Sequence, residues 1–224
     1  MPIFRRTYRS FDGGVRRRFR WTIVMEQELR ALIKAKPFLL LCLVAGLHCL
    51  LRIGQIMAFD VIMQDSNNQL TPFLLKMDAL TVDTETFFDF VRIQSPLLFI
   101  ACLYAGAGMI AGDFRNNLME VYFSKPIRWY DYALGKFFAL VVIGLCLTAV
   151  PGALLVVTHN LLAPSVENLQ ESWWWPISIF FFSLVVIIPT ALCILASSAL
   201  MRSQNFAAVA VFMVLVAHTA LTGI

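Results

Sequence analysis

Long apolar runs constrain this chain more than any other feature of its sequence. Each of five runs is close to the ~20 residues that a helix needs to cross a hydrocarbon core of roughly 30 Å. Hydrophobic residues make up 59% of the 224 residues and charged residues only 14%, which excludes an ordinary soluble domain. Because helices satisfy their own backbone groups in lipid, we predict an all-α polytopic membrane bundle. Its spans are residues 37–58, 94–112, 133–157, 176–200 and 206–224.

Two further helices are predicted beside the spans. Residues 1–36 form a basic tail that ends in an amphipathic helix, over about 20–36, with apolar side chains at helical spacing. We expect this helix to lie along the membrane surface before the chain turns inward at Pro37; packing on a partner protein would give the same periodicity. The aromatic stretch 87–91 predicts a short helix that rests on lipid before the second span.

The distribution of charge sets the expected orientation. Ten of the 18 Lys and Arg residues precede Pro37, and four more lie in or beside the loop 113–132. The loop 59–93 instead carries six acidic residues, and the loop 158–175 has two and no basic residue. The positive-inside rule therefore places the N-terminus and the loop 113–132 in the cytoplasm, with 59–93 and 158–175 outside. The basic tail is attributed to orientation and anionic lipid, not to nucleic acid.

A few polar and small residues stand out within the spans. His48, Arg52 and Gln55 share a helical face, which fits either an arginine snorkelling to the outer headgroups or the lining of a transport path. Polar residues on the fourth span fit either bonds to their own helix or a row that contacts substrate. Small residues in the second span predict a close helix contact, and two prolines predict kinks. The polar residues of the fourth span are Ser183, Thr190 and Ser197. The small residues of the second span are Gly108 and Gly112, and the prolines are Pro151 and Pro189.

Sequence patterns for catalysis and cofactor binding are absent. No Gly-x-x-x-x-Gly-Lys-Ser/Thr loop occurs, so no nucleotide site is expected on this chain. The three histidines are widely separated and the five cysteines lie inside spans without metal-ligand spacing, so neither a metal nor a haem site is predicted. We therefore expect no enzyme activity and no bound cofactor in this chain.

The loop after the second span carries a specific pattern. Asp113 lies near the end of that span, Leu118-Met119-Glu120 follows, then Ser124-Lys125-Pro126-Ile127, and Leu134-Gly135-Lys136 opens the third span. This order resembles the cytoplasmic segment of ATP-binding-cassette export permeases of the type-2 exporter class. Their pattern is an acid, Gly-Thr-Leu-Glu, Ser-(Lys/Arg)-Pro-Ile and Leu-Gly-Lys. Here Asn117 replaces the glycine, Leu118 the threonine and Met119 the leucine.

The resemblance implies a function, partners and a site. It implies a permease subunit of an ATP-driven exporter, paired with a second permease copy or paralogue, in the bacterial cytoplasmic (inner) membrane. A separate ATPase subunit would bind ATP and Mg and would dock on a partner-facing helix from Asp113 to Phe123. The implied contact residues are Asp113, Arg115, Asn116, Leu118, Glu120, Val121, Tyr122, Ser124, Lys125 and Pro126.

Two expectations concern the limits of this resemblance. Similar permeases have six spans, and this sequence stops inside an apolar run, so we expect a sixth span beyond Ile224. The alternative function is a membrane scaffold or anchor that transports nothing and recruits a cytoplasmic partner through the same loop. The substrate is not indicated by any residue of the spans.

Overall fold

A computed structural model describes residues 19–64, 82–124, 127–162, 172–201 and 203–222. The regular structure in those ranges is helical throughout. The helices are α1 (Arg20–Ile33), α2 (Lys36–Gln64), α3 (Thr84–Gly106), α4 (Ala111–Arg115), α5 (Leu118–Phe123), α6 (Trp129–Leu147), α7 (Ala149–Leu162), α8 (Trp175–Leu200) and α9 (Gln204–Thr222). We call the end of the bundle that carries α1, α4, α5 and the start of α6 the loop end, and the opposite end the far end.

Four stretches of the described chain are long and apolar enough to cross a membrane. They are Lys36–Ile62, Thr84–Arg115, Trp129–Leu162 and Trp175–Leu200. The prediction of an all-α polytopic bundle is therefore confirmed. The predicted fifth span falls on α9, which has 19 residues and includes the apolar stretch Gln204–Met213. The predicted sixth span lies beyond the described residues.

Helix α6 occupies the centre of the bundle. It packs against α1, α3, α7 and α8, and its buried residues Ala139, Leu140 and Ile143 belong to the larger apolar core. Isoleucines of α8 fit against glycines on the neighbouring helices. A Cβ added at Gly144 would lie 2.7 Å from Ile187, and this close approach provides the packing that holds helices together in lipid.

Helix α3 begins earlier than the predicted second span. Asp83 caps it, because its carboxylate accepts a hydrogen bond from the backbone N–H of Thr86. The prediction that residues 87–91 rest on lipid is wrong. Phe87, Phe90 and Val91 are buried in a second apolar core with residues of α2, α7 and α8, because the helix continues straight into the span.

Two predicted spans are interrupted by breaks. The second span turns at residues 107–110, where the Ser198 hydroxyl of α8 accepts from the backbone N–H groups of Ile110 and Ala111 and donates to the Ala107 carbonyl. The third span breaks at Thr148, three residues before Pro151, which has no backbone N–H to continue the helix. The predicted spans 94–112 and 133–157 are therefore not continuous helices.

Candidate functional site

A buried lysine organises the loop end of the bundle. The Lys136 side chain is 0% exposed, and its Nζ lies 2.6 Å from Glu28 Oε1 and 2.8 Å from Asp113 Oδ2. It also donates to the Met109 carbonyl oxygen at 2.6 Å. A buried ammonium needs such partners, because desolvation of an unpaired charge is costly. These contacts connect α1, the turn before α4, α4 itself and α6.

Tyr132 completes this arrangement from one turn earlier on α6. Its hydroxyl donates to Asp113 Oδ2 at 2.7 Å, and Lys136 Nζ lies 4.9 Å from the centre of its ring. Residues four apart share a helical face, so the sequence of α6 places both side chains toward Asp113. We call Glu28, Asp113, Tyr132 and Lys136 the lysine cluster. Its two carboxylates face one ammonium.

Gly135 allows α1 to reach this cluster. A Cβ at that position would lie 2.7 Å from the Trp21 carbonyl oxygen and 2.6 Å from Val24 Cβ. Any larger residue would push α1 away from α6 and with it the Glu28 carboxylate. In the Leu-Gly-Lys motif, Gly135 thus provides the contact surface for α1, and Lys136 provides the cation that pairs with Glu28 of α1. One side of α1 is packed on α6. The expected contact of its other side with the membrane surface stays a prediction.

Helix α5 is attached to the cluster through its two adjacent aromatic side chains. The Tyr122 ring packs edge-on against Tyr132 with centroids 5.3 Å apart. Burial, with the nearby Asp113 and Glu28 carboxylates, raises the pKa of the Tyr122 phenol above its ordinary value. Leu118, Val121 and Phe123 are exposed to solvent, Val121 at 53%, although the Phe123 ring also approaches that of Tyr132, with centroids 6.3 Å apart. The helix therefore presents an apolar surface away from the bundle.

The turn before α5 explains one departure from the family pattern. Asn117 adopts a left-handed conformation with φ 55° and ψ 27° between α4 and α5. Glycine adopts this conformation most readily, and asparagine is the side chain that tolerates it best after glycine. Asn117 therefore preserves the turn that the family's glycine would make. The predicted single helix from Asp113 to Phe123 is wrong for the same reason, since the left-handed residue divides it.

The residues predicted to contact the ATPase partner occupy three kinds of position. Asp113 is buried in the lysine cluster, and Tyr122 is half-buried against Tyr132. Lys125 and Pro126 lie outside the described residues. The rest are exposed on α4, α5 and the adjoining turns; they are Arg115, Asn116, Leu118, Glu120, Val121 and Ser124.

The residues predicted to line a path are not gathered around one cavity. His48 donates from Nδ1 to Gln94 Oε1 of α3 at 2.7 Å. Arg52 donates to Gln55 on its own helix at 2.8 Å, and Thr190 bonds to the Val186 carbonyl of its own helix. Ser197 is partly exposed. The Ser183 hydroxyl is buried without a hydrogen-bond partner among the described atoms.

The two glycines predicted to pack helices differ in their surroundings. Gly108 lies in the turn 107–110, where an added Cβ would be 2.8 Å from the Gln204 side chain of α9. At Gly112 an added Cβ would meet nothing within 4 Å in this chain. Gly108 thus packs against α9, and a helix contact at Gly112 stays a prediction.

Several residues of the site are missed by sequence reasoning. Lys136 is identified as part of a motif but not as a buried charge, and Glu28, Tyr132 and Gln94 are not singled out. A lysine inside an apolar run is itself a signal of a functional or paired group. The carboxylate partner on α1 has no such signal, because 108 residues separate it from Lys136.

The described residues contain no group of three His, Cys, Asp or Glu side chains arranged to hold a metal ion. The site is therefore described by its ion pairs, its hydrogen bonds and the exposed surface of α5.

Fold and site together define a class: a polytopic helical membrane protein that carries a short surface helix on a buried ionic cluster. A family model described as ABC-2 family transporter protein matches residues 22–224, and the chain belongs to that family. It is thus a membrane permease subunit of an ABC transporter. A comparison with curated proteins gave no match.

Proposed function

We propose that the chain is the permease subunit of an ATP-driven exporter and that α5 is its docking helix for a separate cytoplasmic ATPase. The observation that supports this most directly is the position of α5. It is a surface helix with exposed apolar side chains, and its inner side rests on a buried ionic cluster that joins three other helices.

The exposed surface of α5 has the composition of a docking site. Val121 and Leu118 offer an apolar centre, and Glu120 and Arg115 lie on its polar margin. Protein interfaces gain most of their binding energy from such a desolvated apolar centre with a polar rim. The positive-inside rule predicts that this surface faces the cytoplasm, where an ATPase would meet it.

The lysine cluster gives a physical route for force. Displacement of α5 by the ATPase acts through Tyr122 on the ring of Tyr132, whose hydroxyl is bonded to Asp113. Asp113 in turn pairs with Lys136, which pairs with Glu28 of α1. Paired buried charges resist separation, so α1, α4 and α6 would move together as a rigid group. We infer that this motion opens a path for substrate between this permease and a second one.

The docking role is tested by changing only exposed side chains. The double variant Glu120→Arg with Val121→Asp alters the outer surface of α5 and spares Tyr122. We expect the variant to insert and fold, but no ATPase should co-purify with it from native membranes. The purified sample should therefore show no Mg-dependent ATP hydrolysis. Glu85→Arg is the matched control, because Glu85 is an exposed acid in the first turn of α3 at the far end. Unchanged ATPase association in the double variant would refute the assignment of α5.

A further inference from the structure

A basic and aromatic cleft lies beside the lysine cluster, where the first turn of α1 meets the first turn of α6. Its volume is about 390 Å³. None of its residues takes part in the contacts assigned to α5. The described residues that line it are Phe19, Arg20, Trp21, Arg128, Tyr130, Asp131 and Leu134.

The guanidinium of Arg128 is held in place within this cleft. It donates from Nη1 to the Tyr130 hydroxyl at 2.8 Å, and its Cζ lies 5.7 Å from the centre of the Tyr130 ring. A guanidinium whose direction is fixed binds a phosphate with less loss of side-chain entropy than a freely rotating one. Among the described residues, the bond to Tyr130 uses one of its five N–H donors.

Basic side chains outnumber acidic ones in the described lining of the cleft. Arg20 and Arg128 contribute two positive charges and Asp131 one negative charge. The Asp131 carboxylate accepts from the backbone N–H of Arg128 at 3.2 Å, which binds it to the start of α6. An excess of basic side chains favours an anion such as a phosphodiester, the charged group of a phospholipid.

The surroundings of the cleft are those expected at the level of lipid headgroups. Trp129 beside it is 72% exposed and Phe19 is 76% exposed. Tryptophan in such a position is characteristic of the boundary between lipid and water. Trp129 is also the first residue of the apolar span Trp129–Leu162. The sequence immediately before Phe19 is Arg16-Arg17-Arg18. An apolar rim of this kind favours a headgroup that arrives with its acyl chains over a free phosphate ion.

We propose that this cleft binds the phosphodiester headgroup of an anionic phospholipid. Arg128 would hold the phosphate, while Trp21 and Leu134 would contact the glycerol and the upper acyl chain. The bound lipid would lie between α1 and α6, the two helices that Lys136 and Glu28 join. This proposal does not depend on the role proposed for α5.

The test is lipid retention by the full chain, purified in detergent and measured by native mass spectrometry. After exchange into equal amounts of phosphatidylglycerol and phosphatidylcholine, we expect the wild type to retain mainly phosphatidylglycerol. Arg128→Ala should lower its retention by about fivefold, the effect of one basic residue near an anionic surface. Tyr130→Phe should produce a smaller decrease, because it removes only the hydroxyl that orients the guanidinium.

Arg30→Ala is the matched control. Arg30 is also exposed at the loop end, on α1, but lies outside the cleft and pairs with Glu26. An equal decrease in Arg30→Ala and Arg128→Ala would show a general effect of surface charge and would overturn the proposal. Displacement of the lipid by millimolar inorganic phosphate would also overturn it, since the site would then be one for free phosphate. Thermal unfolding of each variant confirms that lipid loss is not loss of fold.

Discussion

The side-chain amide of Gln94 donates to the Leu147 carbonyl oxygen at 3.0 Å. That oxygen is the one that Pro151 leaves without its helical donor, because proline four residues later has no N–H. The same side chain accepts from His48 of α2 and approaches the Ala45 carbonyl at 3.4 Å. The fully buried Gln94 amide thus satisfies the Leu147 carbonyl group at the break in the third span. It also joins this span to α2 and α3. In lipid, no water is present to satisfy that oxygen otherwise.

The first prediction concerns Gln94 and Pro151 together. We expect Gln94→Leu to lower the free energy of unfolding by about 1 kcal/mol, as for other interhelical hydrogen bonds in membranes. In a Pro151→Ala background, Gln94→Leu should lower the free energy of unfolding by roughly half as much. The substituted alanine then restores an N–H for the Leu147 oxygen, although the bond to His48 is still lost. SDS titration in mixed micelles measures all four proteins. Equal costs in the two backgrounds would show that Gln94 does not compensate for the proline.

The positions of these breaks show what the sequence allowed us to predict of the fold. Runs of about 20 apolar residues predict spanning helices because lipid leaves the backbone no other solution. Pro151 predicted a kink, and α6 and α7 do separate three residues before it. The turn at 107–110 was not predicted, because its donors and acceptors are satisfied by Ser198, about ninety residues away. Contacts at that separation have no local signal.

The second prediction concerns the contact between α1 and α6. Gly135→Ala places a Cβ within 2.7 Å of the Trp21 carbonyl oxygen, so we expect a loss of about 1–3 kcal/mol from overpacking. Hydrogen exchange should increase in α1 before it does so in α8. Gly46→Ala is the control, because a Cβ there meets nothing within 4 Å and alanine favours a helix by about 1 kcal/mol. A Gly135→Ala protein as stable as Gly46→Ala would contradict the role of this glycine.

The third prediction concerns pH. Burial and the carboxylates of Asp113 and Glu28 raise the pKa of Tyr122, so the folded protein prefers the neutral phenol. Its contribution to stability is therefore complete below the ordinary tyrosine pKa of about 10 and declines as pH rises through the raised value. We expect the thermal midpoint of Tyr122→Phe to fall less steeply than that of the wild type between about pH 9 and pH 11. Parallel curves would show that Tyr122 ionises as freely in the folded protein as in the unfolded one.

The position of the loop could be predicted from the sequence, but the contacts inside the lysine cluster could not. Ser-Lys-Pro-Ile and Leu-Gly-Lys located the loop, and the charge distribution predicts the side of the membrane that it faces. The sequence does not distinguish an exposed acid from a buried one, so Asp113 and Glu120 were both expected to meet a partner. In the structure only Glu120 is exposed, since Asp113 is held by Tyr132 and Lys136. Knowing which acid is buried requires the position of α6.

The last prediction concerns the buried ion pairs of Lys136. Lys136→Met leaves the Glu28 and Asp113 carboxylates without their cation, so we expect a loss of about 3–5 kcal/mol and poor recovery of folded protein. The triple variant Lys136→Met, Glu28→Gln and Asp113→Asn should recover much of that stability, because no unpaired charge then stays buried and the substituted amide oxygen still accepts from Tyr132. Lys34→Met, at an exposed lysine just after α1, should change stability by no more than about 0.5 kcal/mol. Thermal unfolding in the same detergent measures each protein. A triple variant no more stable than Lys136→Met would mean that lost packing, and not the unpaired carboxylates, destabilises the single variant.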